Sequence, residues 1–210
     1  MEEVLELYQD GVEGGEVLVC VDEQPLTLHQ DKYPSRPPAP GHPARQDYEY
    51  KRCGGCTLFM MFAPGRKERH VRVLEKKRMV DFAEVMDWLS REVYPEASRI
   101  HVVCDNLNTH NQGAFYKGLD VERAAELRRR IQFHYTPKHA SWLNMAEIEL
   151  SAATNQCIGS RRISTREQML DELTAWAHQR NDLGIGVDWT FTSAKARVKL
   201  KKLYDHLLLS

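Results

Sequence analysis

The sequence has no long apolar segment, which limits the classes of protein to which it can belong. None of its 210 residues lie in a run of 18 apolar residues, so a membrane-spanning helix is not expected. The chain starts MEEVLELYQD, which is acidic and lacks the pattern of a signal peptide. No internal repeat divides it. This length predicts a single domain, residues 1–210, with room for a full core.

An excess of basic charge is also missing. Lys and Arg number 29 and Asp and Glu number 30, giving a net charge of −1. The protein as a whole therefore does not attract nucleic acid, and a polyanion would have to be held by local patches or by metal ions.

Cysteine is scarce, and its pattern is incomplete for a zinc site. Of the five cysteines, Cys53 and Cys56 form the only Cys-x-x-Cys pair, whereas a zinc site needs two further ligands at suitable spacing. Cys20 and Cys104 lie in apolar, strand-like runs, which is typical of reduced core residues and indicates a cytoplasmic protein.

What the chain does contain is an alternation of strand and helix patterns. The order is three strands, a helix, a strand, helices, a strand and further helices, which predicts a mixed α/β sheet with helices packed on it. Gly54-Gly55 is expected to turn a β-hairpin. The predicted strands are Glu16–Val21, Thr57–Ala63, His70–Leu74, the run up to Cys104, and Ile131–Tyr135.

Two of these strands end in an acid. Asp22 follows the first strand, and Asp105 follows the apolar run that ends at Cys104. We expect the two strands to lie side by side and parallel, so both carboxylates come to the edge of the sheet where ligands bind in open α/β folds. The alternative for Asp105 is that it caps the helix that follows.

A third acid lies near the start of the helix after the fifth strand. Glu147 and Glu149 both qualify, but they are two residues apart, about 200° around a helix, and the pattern does not choose between them. Three carboxylates together raise one another's pKa, and divalent cations relieve this repulsion. Oxygen ligands suit Mg²⁺ or Mn²⁺, and two such ions roughly 3.5–4 Å apart promote phosphodiester cleavage.

Three blocks of this sequence resemble the catalytic domain of IS630 / Tc1-mariner superfamily transposases. They are Val21–Glu23 (VDE), Asp105–His110 (DNLNTH) and Thr136–Glu147 (TPKHASWLNMAE), and the likeness extends over residues 16–204. The resemblance implies an RNase H-like fold, with a mixed five-stranded sheet and helices on both faces. It also implies cleavage of DNA at transposon ends and strand transfer into target DNA.

The resemblance also assigns residues. It makes Asp22, Asp105 and Glu147 a D-D-E triad that binds two Mg²⁺ ions, for which Mn²⁺ can substitute. Glu147 is chosen because Leu143-Asn144-x-x-Glu147 matches the family's block, with Met145 in place of its proline. Glu149 would then be a surface residue, and replacing it by Gln would change stability by no more than about 0.5 kcal/mol.

Four further residues are candidates for contact with DNA. Asn106 and His110 would position a phosphate or a water molecule, or else cap the following helix. Lys138 and His139, just before the third acid, would contact the DNA backbone. The implied partners are transposon ends and target DNA, with a homodimer as a further possibility.

The sequence departs from the family in two ways. Asp105 and Glu147 are separated by 41 residues, more than is usual, and residues 113–124 are the inferred insertion. Family members also carry helix-turn-helix domains ahead of the first catalytic strand, and none is present here. We therefore expect a catalytic domain alone, a decayed copy, or one frame of a split transposase whose separate chain supplies those domains.

Two other functions fit the same residues. One is an RNase H-like nuclease that acts on RNA–DNA hybrids or DNA junctions. The other is a catalytically silent remnant that serves as a DNA-binding or dimerisation module. In each case, the expected location is the prokaryotic cytoplasm, in association with the nucleoid.

Overall fold

The structure is a computed structural model that describes residues 1–33, 38–43, 47–138 and 140–201. Its centre is a five-stranded sheet in the order β3-β2-β1-β4-β5. Strands β1, β2 and β3 pair antiparallel, whereas β4 and β5 run parallel to β1. The strands are β1 Glu16–Asp31, β2 Tyr50–Ala63, β3 Glu68–Leu74, β4 Arg99–Cys104 and β5 Ile131–Tyr135. The mixed five-stranded sheet is therefore confirmed.

Helices cover both faces of this sheet, as expected. They are α1 Glu2–Asp10, α2 Met79–Trp88, α3 Gln112–Gly118, α4 Val121–Arg130, α5 Met145–Ala153, α6 Arg166–Asp182 and α7 Ser193–Lys199. Within the described ranges, no helix has the length and apolar character needed to cross a membrane.

The two faces of β1 belong to two different hydrophobic cores, because successive strand side chains point to opposite sides. Leu18 and Cys20 pack in the core that contains α5 and α6. Val17, Val19 and Val21 pack in the core under α2, α3 and α4. The continuous apolar run of β1 is thus explained by burial on both sides.

The first strand is longer than predicted. β1 continues through Asp22 to Asp31 because β2 remains its partner along that length, although its pairing with β4 ends at Cys20 and Val103. Beyond Cys20, β1 no longer pairs with β4, so Pro25, which lacks an N–H group, is tolerated there.

The prediction of a β-hairpin turn at Gly54-Gly55 is wrong. Both glycines lie inside β2, opposite a shift of register in β1 between Thr27 and His29. Gly54 has a φ of 101°, which a residue without a Cβ adopts readily. The glycines therefore accommodate a β-bulge rather than a turn.

Candidate active site

Two of the three predicted acids line one groove. Asp22 on β1 and Glu147 in the first turn of α5 both border an open cavity of about 400 Å³, together with Glu23 and Ser151. Asp22 lies two residues beyond the last β1–β4 backbone pair, at the carboxyl ends of the parallel strands. The structure thus brings together residues that are more than a hundred positions apart in the sequence.

Asn144 explains why α5 starts where it does. Its side chain caps the helix by accepting a hydrogen bond from the Ala146 amide at 3.1 Å. The same buried side chain donates to the carbonyl of Val21 at 2.8 Å. Asn144 therefore fastens the first turn of α5, with Glu147, to the strand position next to Asp22.

The third predicted acid, Asp105, is held by a buried histidine. Asp105 Oδ1 lies 2.6 Å from His110 Nδ1 and also accepts from the amide of Leu107 at 3.3 Å. The other ring nitrogen of His110 lies 2.9 Å from Oε1 of Glu23 on β1. The His110 side chain is 0% exposed and packs on Phe82, so it is not presented to DNA in this structure.

The other candidates for contact with DNA lie in loops. Asn106 is exposed in the turn that follows β4, and Lys138 is exposed in the turn that follows β5. His139 lies outside the described residues. Because β4 and β5 are parallel neighbours, both turns are at the edge of the sheet that also carries Asp105.

Glu149 is not the surface residue that the sequence predicted. It is 1% exposed and forms an ion pair with Arg69 of β3, with Nε and Oε2 2.9 Å apart. Arg180 of α6 lies 3.4 Å from its other oxygen. The interpretation of Glu149 as solvent-exposed is wrong because its side chain points into the interior, where Arg69 of β3 and Arg180 of α6 contact it.

The pKa values of Asp22 and Asp105 are shifted in opposite directions. Burial raises the pKa of Asp22 from 3.8 to about 6, and the nearby carboxylates, Glu23, Asp105 and Glu147, add to the rise. Burial would also raise the pKa of Asp105, but the hydrogen bond and charge of His110 lower it below its ordinary value. One acid is thus destabilised as an anion, and the other is stabilised by a cation from the protein.

The donor set suits a hard divalent cation. As the side chains stand, no three or more His, Cys, Asp or Glu residues of the described chain form a group that could hold a metal ion. The acids nevertheless offer only oxygen atoms, and the buried Oε2 of Glu23 has no hydrogen-bond partner in the part of the chain that the structure describes. A cation bound by these carboxylates would offset both the burial of Asp22 and the repulsion that adds to the rise of its pKa.

Sequence reasoning missed the role of two residues. In the sequence, Glu23 is only part of the VDE block, and nothing there indicates its hydrogen bond to His110. Asn144 was noted for its match to the family, and its bond to Val21 was not foreseen either. The signal available for Glu23 was a second acid directly after Asp22, at a position that faces the opposite side of the sheet.

Comparison with known proteins assigns the chain to a family. The family model described as DDE superfamily endonuclease matches residues 17–170, which is most of the chain. The chain belongs to the DDE superfamily endonucleases. A search of curated proteins finds no match.

Solved structures of a mariner transposase share the fold. The Mos1 mariner paired-end complex with Mn superposes with a TM-score of 0.57 at 16% identity, over 87% of this chain and 55% of that one. The Mos1 strand transfer complex gives 0.57 at 16% identity, over 87% and 54%. The catalytic domain of Mos1 transposase gives 0.55 at 13% identity, over 87% and 81%.

The family model confirms the expected DDE catalytic domain, and the likeness to the mariner transposase catalytic domain confirms the expected RNase H-like fold. The chain spans about 55% of the length of the Mos1 chain in the paired-end complex.

Proposed function

We propose that this protein is the catalytic core of a DNA transposase, which cleaves phosphodiester bonds at transposon ends and transfers the freed strands into target DNA. The observation that carries the proposal is the groove lined by Asp22 and Glu147, with Asp105 near enough to raise the pKa of Asp22. Among the described residues, neither Asp22 nor Glu147 has an ion-pair partner.

In this proposal, Asp22, Asp105 and Glu147 hold two Mg²⁺ ions, which Mn²⁺ can replace. Bound ions activate the attacking oxygen and stabilise the leaving oxygen of the phosphodiester. The three carboxylates form no covalent bond to DNA. Their task is to fix the ions between β1, the turn after β4 and α5, while the open groove leaves space for the DNA strand.

The partners in this proposal are transposon ends and target DNA. Lys138 and His139 would contact the DNA backbone, and Asn106 would position a phosphate beside Asp105. We take residues 1–210 as one catalytic domain that acts as a homodimer. Helix-turn-helix domains on a separate chain would recognise the ends, and the reaction would take place in the prokaryotic cytoplasm beside the nucleoid.

A cleavage assay tests the function. Wild-type protein and the variants Asp105→Asn and Glu147→Gln are incubated with labelled transposon-end DNA and, in parallel, with an RNA–DNA hybrid. We expect wild-type protein to nick the DNA in Mg²⁺ or Mn²⁺ but not in chelator. Each variant should lose more than the roughly 10–100-fold that removing a residue behind a metal ligand costs.

The outcomes separate the alternatives. Cleavage of the hybrid in preference to DNA would favour an RNase H-like nuclease. DNA binding without any metal-dependent cleavage would favour a silent remnant. Wild-type rates in the Asp105→Asn variant would contradict the assignment of this residue as a ligand.

A further inference from the structure

We propose that Glu23 and His110 are positioning residues that hold Asp105 in the orientation needed to bind a metal ion. The arrangement is a line of hydrogen bonds from Glu23 through His110 to Asp105, called here the Glu23–His110–Asp105 bridge. This inference rests on the proposed function, because it assigns a task within the same metal site.

The first argument is that His110 donates both hydrogen bonds of the bridge. Nδ1 of His110 lies 2.6 Å from Asp105 Oδ1, and Nε2 lies 2.9 Å from Glu23 Oε1. Carboxylate oxygens accept hydrogen bonds, so both ring nitrogens donate. With both nitrogens occupied, His110 cannot bind a metal ion itself, and its contribution must pass through Asp105.

The second argument concerns the oxygens of Asp105. Its hydrogen bonds from the described residues, those of His110 and the Leu107 amide, both go to Oδ1. Oδ2 is left for a ligand, and Asp105 is partly exposed where it faces the edge of the sheet. A carboxylate whose one oxygen is engaged in this way presents the other in a fixed direction, as hydrogen bonds behind metal ligands commonly do.

The third argument is that backbone pairing between β1 and β4 does not hold Asp105 in position. Backbone pairing between the two strands ends at Cys20 and Val103, two residues before Asp22 and Asp105 respectively. Beyond that point, the bridge links β1 to the turn that carries Asp105. Since Glu23 is the neighbour of Asp22, the bridge also fixes the spacing between the two acids.

The centre of the bridge is buried and makes further contacts. His110 is enclosed by Phe82, with ring centroids 4.6 Å apart, and its backbone carbonyl accepts a hydrogen bond from the Tyr135 hydroxyl at 2.8 Å. Glu23 is almost completely buried, and its second oxygen has no hydrogen-bond partner among the described residues. The bond to His110 is therefore what orients this carboxylate.

The test measures Mn²⁺ affinity by calorimetry in the full 210-residue chain. We expect Glu23→Ala and His110→Ala to weaken Mn²⁺ binding by about 10–100-fold. Glu23→Gln should stay within about threefold of wild type, because its amide oxygen can still accept from Nε2 of His110. A purely structural role for the bridge would lower stability without this pattern of loss and rescue.

His70→Ala is the matched control, since it removes a histidine ring that packs on Trp88 and Tyr94 at the other edge of the sheet. It should leave Mn²⁺ affinity unchanged. Thermal unfolding in chelator shows that each variant is folded, and if His110→Ala is not, the two Glu23 variants decide the test alone.

Unchanged Mn²⁺ affinity in Glu23→Ala, with binding lost in Asp105→Asn, would overturn the inference and leave the proposed function standing. Absence of both Mn²⁺ binding and cleavage in the wild-type protein would instead overturn the proposed function, and the inference with it.

Discussion

Two glutamates on α5, only two residues apart, lie in opposite electrostatic surroundings. Glu147 is exposed beside the groove and has no ion-pair partner within the described part of the chain. Glu149 is buried between Arg69 and Arg180 and accepts hydrogen bonds from both. Two arginines thus neutralise the charge of Glu149, whereas no described cation neutralises the charge of Glu147.

The difference teaches how to separate structural acids from acids that are available to a ligand. A buried carboxylate that the protein supplies with cations holds elements together, and removing one partner leaves an unpaired charge. Acids that are gathered without a neutralising cation, such as Asp22 and Glu147, are candidates for a functional site, and burial together with the nearby carboxylates raises the pKa of Asp22.

The largest effect on stability is expected at the neutralised glutamate. Glu149→Gln leaves Arg69 and Arg180 buried without their anion, so the free energy of unfolding should fall by about 3–5 kcal/mol. Arg69 also donates to the carbonyl of Ile185 and to Asn181, so the loss extends to α6 and the loop after it. Urea unfolding of the variant and of wild type measures this.

Glu147→Gln is the control for that experiment. It should change the free energy of unfolding by less than about 1 kcal/mol while abolishing cleavage. If Glu149→Gln and Glu147→Gln have equal free energies of unfolding, the two glutamates do not differ in their contribution to stability.

The second expected effect is a gain of stability at Asp22. The pKa of this acid is raised to about 6 in the folded protein, so its protonated form contributes stability that is lost as the pH rises from about 4 through 6. In chelator at pH 7.5, Asp22→Asn should be more stable than wild type by on the order of 1–3 kcal/mol. The two should become equal near pH 4.

Urea unfolding between pH 4 and pH 8 measures this difference. Mg²⁺ should then stabilise wild type more than the variant, because the ion binds only the intact site. Parallel stability curves for wild type and Asp22→Asn across this pH range would mean that the pKa of Asp22 is not raised in the folded protein.

The smallest effect concerns DNA. With a net charge of −1, nonspecific binding should be weak and salt-sensitive, with a dissociation constant on the order of 10⁻⁴–10⁻⁶ M. Lys138→Ala should weaken it uniformly across sequences and reduce the slope against log salt by about 1.

Arg91→Ala is the comparison for Lys138→Ala, because Arg91 already lies near Asp87 and Glu126. This variant should keep the wild-type slope in fluorescence anisotropy titrations. If Arg91→Ala weakens DNA binding more than Lys138→Ala does, DNA does not bind beside Asp105 as proposed.

The parts of this protein that local pattern determines were predictable from the sequence. The apolar runs before Asp22 and Asp105 predicted parallel neighbouring strands. The segment 121–130 was predicted as a helix, and it is one, with Asp120 capping it through the Arg123 amide.

Contacts between distant segments could not be predicted. Arg69 and Glu149 are 80 positions apart, so no period in either segment reveals their ion pair. Likewise, Glu23 and His110 are 87 positions apart, and only the completed sheet brings them together. The Gly54-Gly55 error has a similar cause, because a bulge depends on the partner strand rather than on the glycines themselves.

The anchoring of Asn144 to the carbonyl of Val21 makes the active-site geometry independent of chain length. The 41 residues between Asp105 and Glu147 include α3, α4 and β5, yet Glu147 reaches the groove through a contact made only three residues before it. Segments such as 113–124 can therefore differ in length between related proteins without changing the position of Glu147.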